Sequence, residues 1–194
     1  MYMSTQRGFT LIEMMVAVSI FTIVMLVGIG ALLSLVQTNR RAQAINSVMN
    51  NLNAAVESMT RTMRVGTTYR CETSPTPPSL TDIINPQDCS GTGGILLAFE
   101  KASGNKLDPA DQVVYRLNGK QLERSLQSGI SGSWVALTSP EVSVDSFNFY
   151  VIGAPRGDLI QPRILMRIKG SAQVPGGVTT FTVQSSVVQR LLDI

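Results

Sequence analysis

The 194-residue chain contains no histidine. Histidine is the side chain that most often acts as a general base or binds a metal ion at neutral pH, so the commonest residue for both roles is missing. The Gly-x-Ser-x-Gly pattern of a serine nucleophile and a Gly-rich phosphate-binding loop are absent too. We therefore predict that the chain is not an enzyme, with no catalytic residues and no cofactor.

Metal-binding patterns are equally scarce. Asp108 and Asp111 in the stretch LDPAD lie close enough in sequence to share a cation, but the same stretch is more simply explained as a turn. We therefore predict no metal ligands.

The chain has two cysteines, Cys71 and Cys89. Their separation is too long for a C-x-x-C redox or zinc pair. Outside the cytoplasm a disulfide between them would close a loop of about 19 residues and stabilise the fold by about 3 kcal/mol. Two unpaired thiols are the alternative, and we favour the disulfide.

Charge is missing from one long stretch, residues 9–36, in which Glu13 is the single ionisable side chain. As a helix this stretch would measure about 42 Å, compared with about 30 Å of bilayer hydrocarbon. It is also longer than the apolar part of a secretory signal peptide, about 7–15 residues. We predict a transmembrane helix at residues 9–36, for which a plain signal anchor is the alternative function.

Residues 37–66 continue the helix with an amphipathic pattern. Apolar side chains recur at intervals of three and four residues, which places them on one helical face. Gly66 is suited to end the helix. The apolar positions are Ile45, Val48, Met49, Leu52, Ala55, Val56, Met59 and Met63.

Residues 67–93 contain four prolines and are predicted to be a connector bounded by the cysteines, with little regular structure between them. Residues 94–194 show strand patterns instead, in GILLAFEK, QVVYRL, KQLERSL, WVALT, VDSFNFYVIG, RILMRIKG and TTFTVQSSVVQR. Asn118-Gly119 predicts a hairpin with a type I′ turn, and VPGG at 174–177 predicts another turn. The expected fold class is α+β: one long helix followed by an antiparallel sheet.

Glu13 is costly in a segment suited to the bilayer, where a charged side chain costs about 2.5–3.5 kcal/mol. If the chain were cut after Gly8, Phe9 would carry a new amino group at the head of the helix. The Glu13 carboxylate would then offset an amine, either its own or that of a neighbouring subunit. A buried ion pair requires a well-placed partner, so we interpret Glu13 as an assembly residue.

The stretch RGFTLIEMMVAVSIF, residues 7–21, closely resembles the N-terminal signature of type IV prepilins and type II secretion pseudopilins. In that family a membrane-embedded prepilin peptidase cuts after the glycine and methylates the new first residue. The resemblance implies that residues 1–8 are a leader peptide, that Gly8 precedes the cleaved bond and that Phe9 is the N-methylated start. It also implies that Glu13 engages a neighbouring subunit's N-terminus.

A second resemblance concerns the subtype. The segments VVYRLNGKQLERS, WVALTSPEVSVDSFNFYV and TTFTVQSSVVQR look like those of the J-type minor pseudopilins and related minor pilins. The implied function is a minor subunit that initiates or caps a type II secretion pseudopilus; a minor pilin of a type IV or DNA-uptake pilus is the alternative.

The resemblance also implies partners and a location. The partners would be prepilin peptidase, other major and minor pilin-like subunits, the inner-membrane assembly platform and the lipid bilayer. The chain would cross the bacterial cytoplasmic membrane once, with its N-terminus in the cytoplasm and its C-terminal domain on the other side.

A membrane-anchored binding module is a further alternative. Arg163, Arg167 and Lys169 alternate with apolar residues, which fits either a strand with one solvated face or a basic patch for DNA. Because DNA binding would also call for stacking aromatics, we favour the solvated face and do not expect DNA as a partner.

Overall fold

The computed structural model describes residues 8–89, 91–105 and 108–190. The chain divides into two units, Met1–Gln43 and Ala44–Ile194. The elements, in chain order, are α1 (Leu11–Val65), β1 (Thr67–Glu72), α2 (Leu80–Ile83), β2 (Leu96–Glu100), β3 (Val113–Asn118), β4 (Gln121–Ser125), β5 (Trp134–Ala136), β6 (Val142–Ile152), β7 (Arg163–Val174) and β8 (Gly177–Val188).

In the first unit, α1 exposes apolar side chains all around its circumference. Two of its hydroxyl groups are satisfied within the helix: Ser19 and Thr22 donate to the carbonyl oxygens four residues earlier, both at 2.8 Å. Such internal bonds suit an apolar solvent, which offers a hydroxyl group no partner.

In the second unit, α1 buries one stripe of side chains on the face predicted to be apolar, although Met49 of that pattern is 36% exposed. Helix α1 ends at Val65, as Gly66 predicts. The glycine is required there by close approach, because an added Cβ at Gly66 would lie 2.4 Å from Phe99 Cδ2. The buried stripe consists of Val48, Leu52, Ala55, Met59 and Met63.

The strands form two antiparallel sheets, and the α+β fold class is confirmed. One sheet has the order β1-β2-β3-β4-β5 and the other the order β6-β7-β8. The main hydrophobic core joins the buried stripe of α1 to residues of both sheets, from Val48 to Val187. Each predicted strand segment overlaps one of the strands β2 to β8, although β6, β7 and β8 extend beyond the predicted segments by two to four residues at one end.

The hairpin at Asn118-Gly119 is present, but its turn differs from the predicted type I′. Asn118 pairs with Gln121, so the two loop residues are Gly119 and Lys120. Gly119 has a φ of 59°, whereas Lys120 has no positive φ. A positive φ at the first loop residue alone is the pattern of a type II′ turn.

Two elements lie in the range predicted as a connector. Strand β1 pairs with β2, and the short helix α2 lies between the two cysteines. The prolines predicted little regular structure between the cysteines, and α2 departs from that prediction. The start of α2 is stabilised by Ser79, whose Oγ accepts the N–H of Asp82.

Helix α2 covers the face of the five-stranded sheet that points away from the main core. Ile83 packs there in a second cluster with Leu96, Ala98 and Val114. All five residues of β2 are consequently buried, because each of its faces has an apolar cover.

Candidate N-terminal assembly site

Gly8, Phe9 and Thr10 form the non-helical lead into α1, and all three are exposed. Phe9 is 80% exposed, and an added Cβ at Gly8 would meet no atom of the described chain within 4 Å. The peptide bond between Gly8 and Phe9 is therefore open on its C-terminal side. The other seven residues of the predicted leader lie outside the described residues.

Thr10 caps the helix. Its Oγ1 accepts the backbone N–H of Glu13 at 3.3 Å, and its carbonyl oxygen accepts the N–H of Met14 at 3.2 Å. The sequence analysis missed this role, although Thr10-x-x-Glu13 has the spacing of a capping box. The cap fixes where α1 begins and therefore places Glu13 in its first turn.

Glu13 is exposed, and no ion pair within the described part of the chain includes it. The first turn of a helix favours a negative charge because the unpaired N–H groups there carry partial positive charge. A cation from another molecule can reach Glu13 from the side of the helix.

The surface around Glu13 is apolar. Along α1 the described chain contains one stretch long and apolar enough to cross a membrane, and none of that stretch is buried. A contiguous apolar surface of this size marks contact with lipid or with another protein. Glu13 is thus a single carboxylate on a surface that is otherwise apolar and suited to contact with lipid or with another apolar helix.

The N-terminal segment was compared with known protein families. Residues 3–35 match the family model of the prokaryotic N-terminal methylation motif. This match supports the resemblance of the N-terminal segment to the type IV prepilin and pseudopilin superfamily. Members of that superfamily with this motif are structural pilin subunits rather than enzymes. It supports a pilin-like protein that is processed by prepilin peptidase, assembles with other pilin subunits and is anchored in a membrane.

The motif covers about a sixth of the chain, and the sheets lie outside it. No curated protein and no solved structure matches the chain.

Cys71 and Cys89 are joined by a disulfide in the structure, with their Cα atoms 5.7 Å apart. The chain around Cys89 also links the two sheets. The Cys89 N–H donates to Val151 O in β6 at 3.1 Å, and Gly94 exchanges two backbone hydrogen bonds with Phe149 in β6, each at 2.7 Å. The disulfide thus ties β1 to a segment that is itself hydrogen-bonded to the second sheet.

Acidic side chains gather at the end of β2, near the predicted turn LDPAD. Within the described residues, no group of three or more His, Cys, Asp or Glu is placed to hold a metal ion. The turn has local bonds instead: Asp108 Oδ1 accepts the N–H of Ala110 at 2.9 Å, and Asp111 Oδ2 accepts the N–H of Asn105 at 3.1 Å.

Glu100 is the buried member of this group, at 2% exposure. Burial raises the pKa of its carboxyl group, and the negative charge of Asp111 raises it further. The hydrogen bond from the Gln112 amide and the charge of Lys101 act in the opposite direction. Because the folded chain holds this proton more tightly than the unfolded chain, the contribution of Glu100 to stability is fully present below its unfolded pKa. It is lost as the pH rises through the folded pKa.

Replacing Glu100 with glutamine is therefore expected to stabilise the protein at neutral pH. The gain in the free energy of unfolding is expected to be on the order of 1 kcal/mol, since the amide needs no charge in the same space. The gain should shrink as the pH falls towards 4. Urea unfolding of both proteins between pH 4 and pH 8 measures the difference. Glu141→Gln, at an exposed carboxylate, should show no such trend.

The basic residues of β7 occupy one face of their strand. Arg163, Arg167 and Lys169 are exposed, while Ile164 and Ile168 between them are buried. The predicted strand with a solvated face is confirmed.

Proposed function

We propose that the chain is a minor pilin-like subunit that helps to initiate or cap a type II secretion pseudopilus. The observation that carries the proposal is the matched motif at residues 3–35, which includes the exposed apolar start of α1 with Glu13 in its first turn. A minor pilin of a type IV or DNA-uptake pilus is the alternative, because those filaments use the same N-terminal arrangement.

Processing would take place between Gly8 and Phe9. Cleavage there removes the leader, creates an amino group on Phe9 and leaves Thr10 as the helix cap. That amino group, methylated by the same peptidase, is the cation we assign to the Glu13 carboxylate of an adjacent subunit. The pairing would offset the cost of burying each charge between apolar helices.

The disulfide supports the proposed location of the second unit. Disulfides persist in oxidising compartments and are rare in the cytoplasm. A helix that spans the cytoplasmic membrane with its N-terminus inside would deliver Cys71 and Cys89 to the outer side. The same orientation exposes the leader to a peptidase acting at the cytoplasmic side, and it presents the sheets to sister subunits and the apolar helix to the assembly platform.

Intact mass and N-terminal sequencing of the membrane-extracted protein test the proposal. With prepilin peptidase co-expressed, we expect a chain that begins at Phe9 and is heavier by one methyl group. Without the peptidase, the chain should begin at Met1. Gly8→Leu is the matched control and should stay uncut in both cases. A wild-type chain that begins at Met1 in the presence of an active peptidase would contradict the proposal.

The choice between the two filament systems needs a different readout. Deletion of the gene should abolish secretion of the substrates of a type II system and leave twitching motility and DNA uptake intact. Loss of motility or DNA uptake with normal secretion would favour the alternative.

A further inference from the structure

The outer face of the three-stranded sheet points away from the main core and carries positive charge. Along the central strand β7, buried side chains of the core alternate with side chains that point outward. The outward cations are Arg163, Arg167 and Lys169, and all of them are exposed. None of the ion pairs found in the described chain includes any of them. We call the outward side of β6, β7 and β8 the basic face.

The basic face has almost no negative charge of its own. Strands β7 and β8 contain no acidic residue. Strand β6 contains Asp145, which lies in its bulge and pairs with Lys120 of the β3–β4 loop. The positive potential of the basic face is therefore left for an anionic partner to neutralise.

A shallow apolar pocket interrupts the row of cations. It lies at Leu165, between Arg163 and Arg167 on β7, and has a volume of about 400 Å³. The strand register sets Tyr150 and Ser186 on either side of Leu165. The pocket is roomy enough for a leucine or phenylalanine side chain. Its lining residues are Tyr150, Ile152, Arg163, Leu165 and Ser186.

The order of these features follows the period of a strand. Outward side chains of a strand recur at every second residue, about 6.6 Å apart. Read backwards along β7, the basic face offers a cation at Lys169, a cation at Arg167, the pocket at Leu165 and a cation at Arg163. An extended polypeptide has the same spacing between alternate side chains. It can therefore present an acidic residue to each cation and an apolar residue to the pocket.

We propose that the basic face binds an extended acidic segment of another protein. Alternate residues of that segment would be acidic, acidic, apolar and acidic, in the order of the features along β7. Charge complementarity holds the segment on the face, and the apolar residue in the pocket fixes its register. This binding does not depend on the proposed cleavage or on filament assembly.

The partner differs from this chain because the chain lacks the required pattern. No two acidic residues of the sequence are two positions apart. The exposed carboxylates of the second unit that have no ion pair in its described part also lie in separate places, one in α2 and the others in three different loops. They are Asp82, Asp108, Glu141 and Asp158. A second copy therefore cannot supply the acidic segment.

A polypeptide also fits the basic face better than a nucleic acid does. A nucleic acid strand carries a phosphate at every nucleotide, so its charges would continue across the apolar pocket. Binding of single strands relies on aromatic side chains on which successive bases stack. The outward positions of β6, β7 and β8 offer one aromatic side chain, Tyr150.

Binding of a fluorescent probe peptide to the full chain in non-ionic detergent micelles tests the proposal. The probe is Ser-Asp-Ser-Asp-Ser-Leu-Ser-Asp-Ser, and the reversed sequence is tested as well because a segment can run in either direction along β7. Fluorescence anisotropy should show saturable binding of at least one of the two peptides at low salt. Added salt should weaken the binding, because its main contacts join opposite charges. A peptide with asparagine in place of each aspartate should bind at least tenfold more weakly.

A charge reversal tests the role of the cations. Arg167→Glu sets a carboxylate against the carboxylates of the probe, so it should raise the dissociation constant at least tenfold. Arg41→Glu is the matched control: it changes the net charge by the same amount at an exposed position of the first unit. Because Arg41 is not part of the basic face, this variant should bind the probe as the wild type does.

Filling the pocket tests the apolar position. Ser186→Phe places a ring in the pocket from an exposed position of β8, so it should also raise the dissociation constant at least tenfold. Thr180→Phe adds the same ring to the same face of β8 outside the pocket and should bind the probe as the wild type does. Far-ultraviolet circular dichroism and a thermal melt verify that all variants are folded.

Several results would overturn the proposal. One is the absence of saturable binding for both peptides. Another is an equal loss of affinity in Arg167→Glu and Arg41→Glu, which would show an effect of net charge alone. If oligothymidylate bound more tightly than the probe and Ser186→Phe did not weaken it, the basic face would belong to a nucleic acid. If short-chain phosphatidylglycerol displaced the probe at lower concentration than unlabelled peptide did, the face would belong to lipid headgroups.

Discussion

Replacing Glu13 with glutamine is expected to lower incorporation of the chain into filaments at least tenfold while leaving its cleavage intact. The substitution keeps the size and the hydrogen-bonding oxygen of the side chain but removes its charge. In the described chain this carboxylate has no ion-pair partner, so its loss breaks no contact within the subunit. It does remove the group to which we assign the amine of a neighbouring Phe9. That amine would then be buried without a counter-charge, which costs several kcal/mol.

The measurement compares the filament fraction with the membrane fraction in cells that assemble the filament. The mass of the membrane-bound Glu13→Gln chain should still show the start at Phe9, which separates a defect in assembly from a defect in processing. Two controls share the same helix. Glu57→Gln removes a carboxylate from the exposed Glu57–Arg61 pair, and Thr10→Val removes the cap at a cost of about 1 kcal/mol but keeps the charge.

Both controls should assemble better than Glu13→Gln. If Glu13→Gln entered filaments at the wild-type level, the carboxylate would have no assembly role. If Thr10→Val failed as completely as Glu13→Gln, the start of the helix rather than the charge would be the requirement.

Removing the disulfide is expected to lower the free energy of unfolding by about 3 kcal/mol, the usual effect of a loop of this length. Two structural features support a loss of at least this size. Cys71 is buried in the core, and the chain near Cys89 holds β6 through the bonds to Val151 and Phe149. Without the disulfide, the segment around Cys89 is no longer covalently held to β1, and its hydrogen bonds to β6 are weakened as well.

Urea unfolding of the wild type with and without reductant measures this contribution, and Cys71→Ala/Cys89→Ala is the matched variant. Reductant should destabilise the wild type to near the level of the double variant and should not affect the double variant. Equal stability of wild type and double variant under oxidising conditions would contradict the prediction. So would an equal response of both proteins to reductant.

The helix and most strands could be predicted from the sequence because their apolar residues repeat with the period of the element. The stripe containing Leu52 and Met59 and the alternation of β6 are examples. The turn at Gly119 shows the limit of such patterns. A glycine with positive φ was predicted there, but the position of the loop relative to Asn118 depends on how β3 and β4 pair, which the turn residues alone do not determine.

Strand β1 and helix α2 were missed for a related reason. Their order comes from contacts with distant parts of the chain: β1 pairs with β2, and Ile83 packs against Leu96 and Val114. Local composition, dominated by prolines between the cysteines, gave no sign of those contacts. At the N-terminus the sequence was more informative, since Gly8, Phe9 and Glu13 lie within six residues. Thr10 was overlooked there, although its spacing to Glu13 was readable.

The span of the hydrophobic core, from Val48 to Val187, has a consequence for biosynthesis. During translation the stripe of α1 is synthesised early and β8 last. The apolar face of the helix therefore stays without part of its packing partners until most of the chain has been made. Contacts between such distant residues also slow folding, because the long loop must close before they form. The apolar face around Leu52 is therefore a surface that a chaperone would have to shield in the nascent chain, and a chain released before β7 and β8 are made would lack the part of the core that those strands supply.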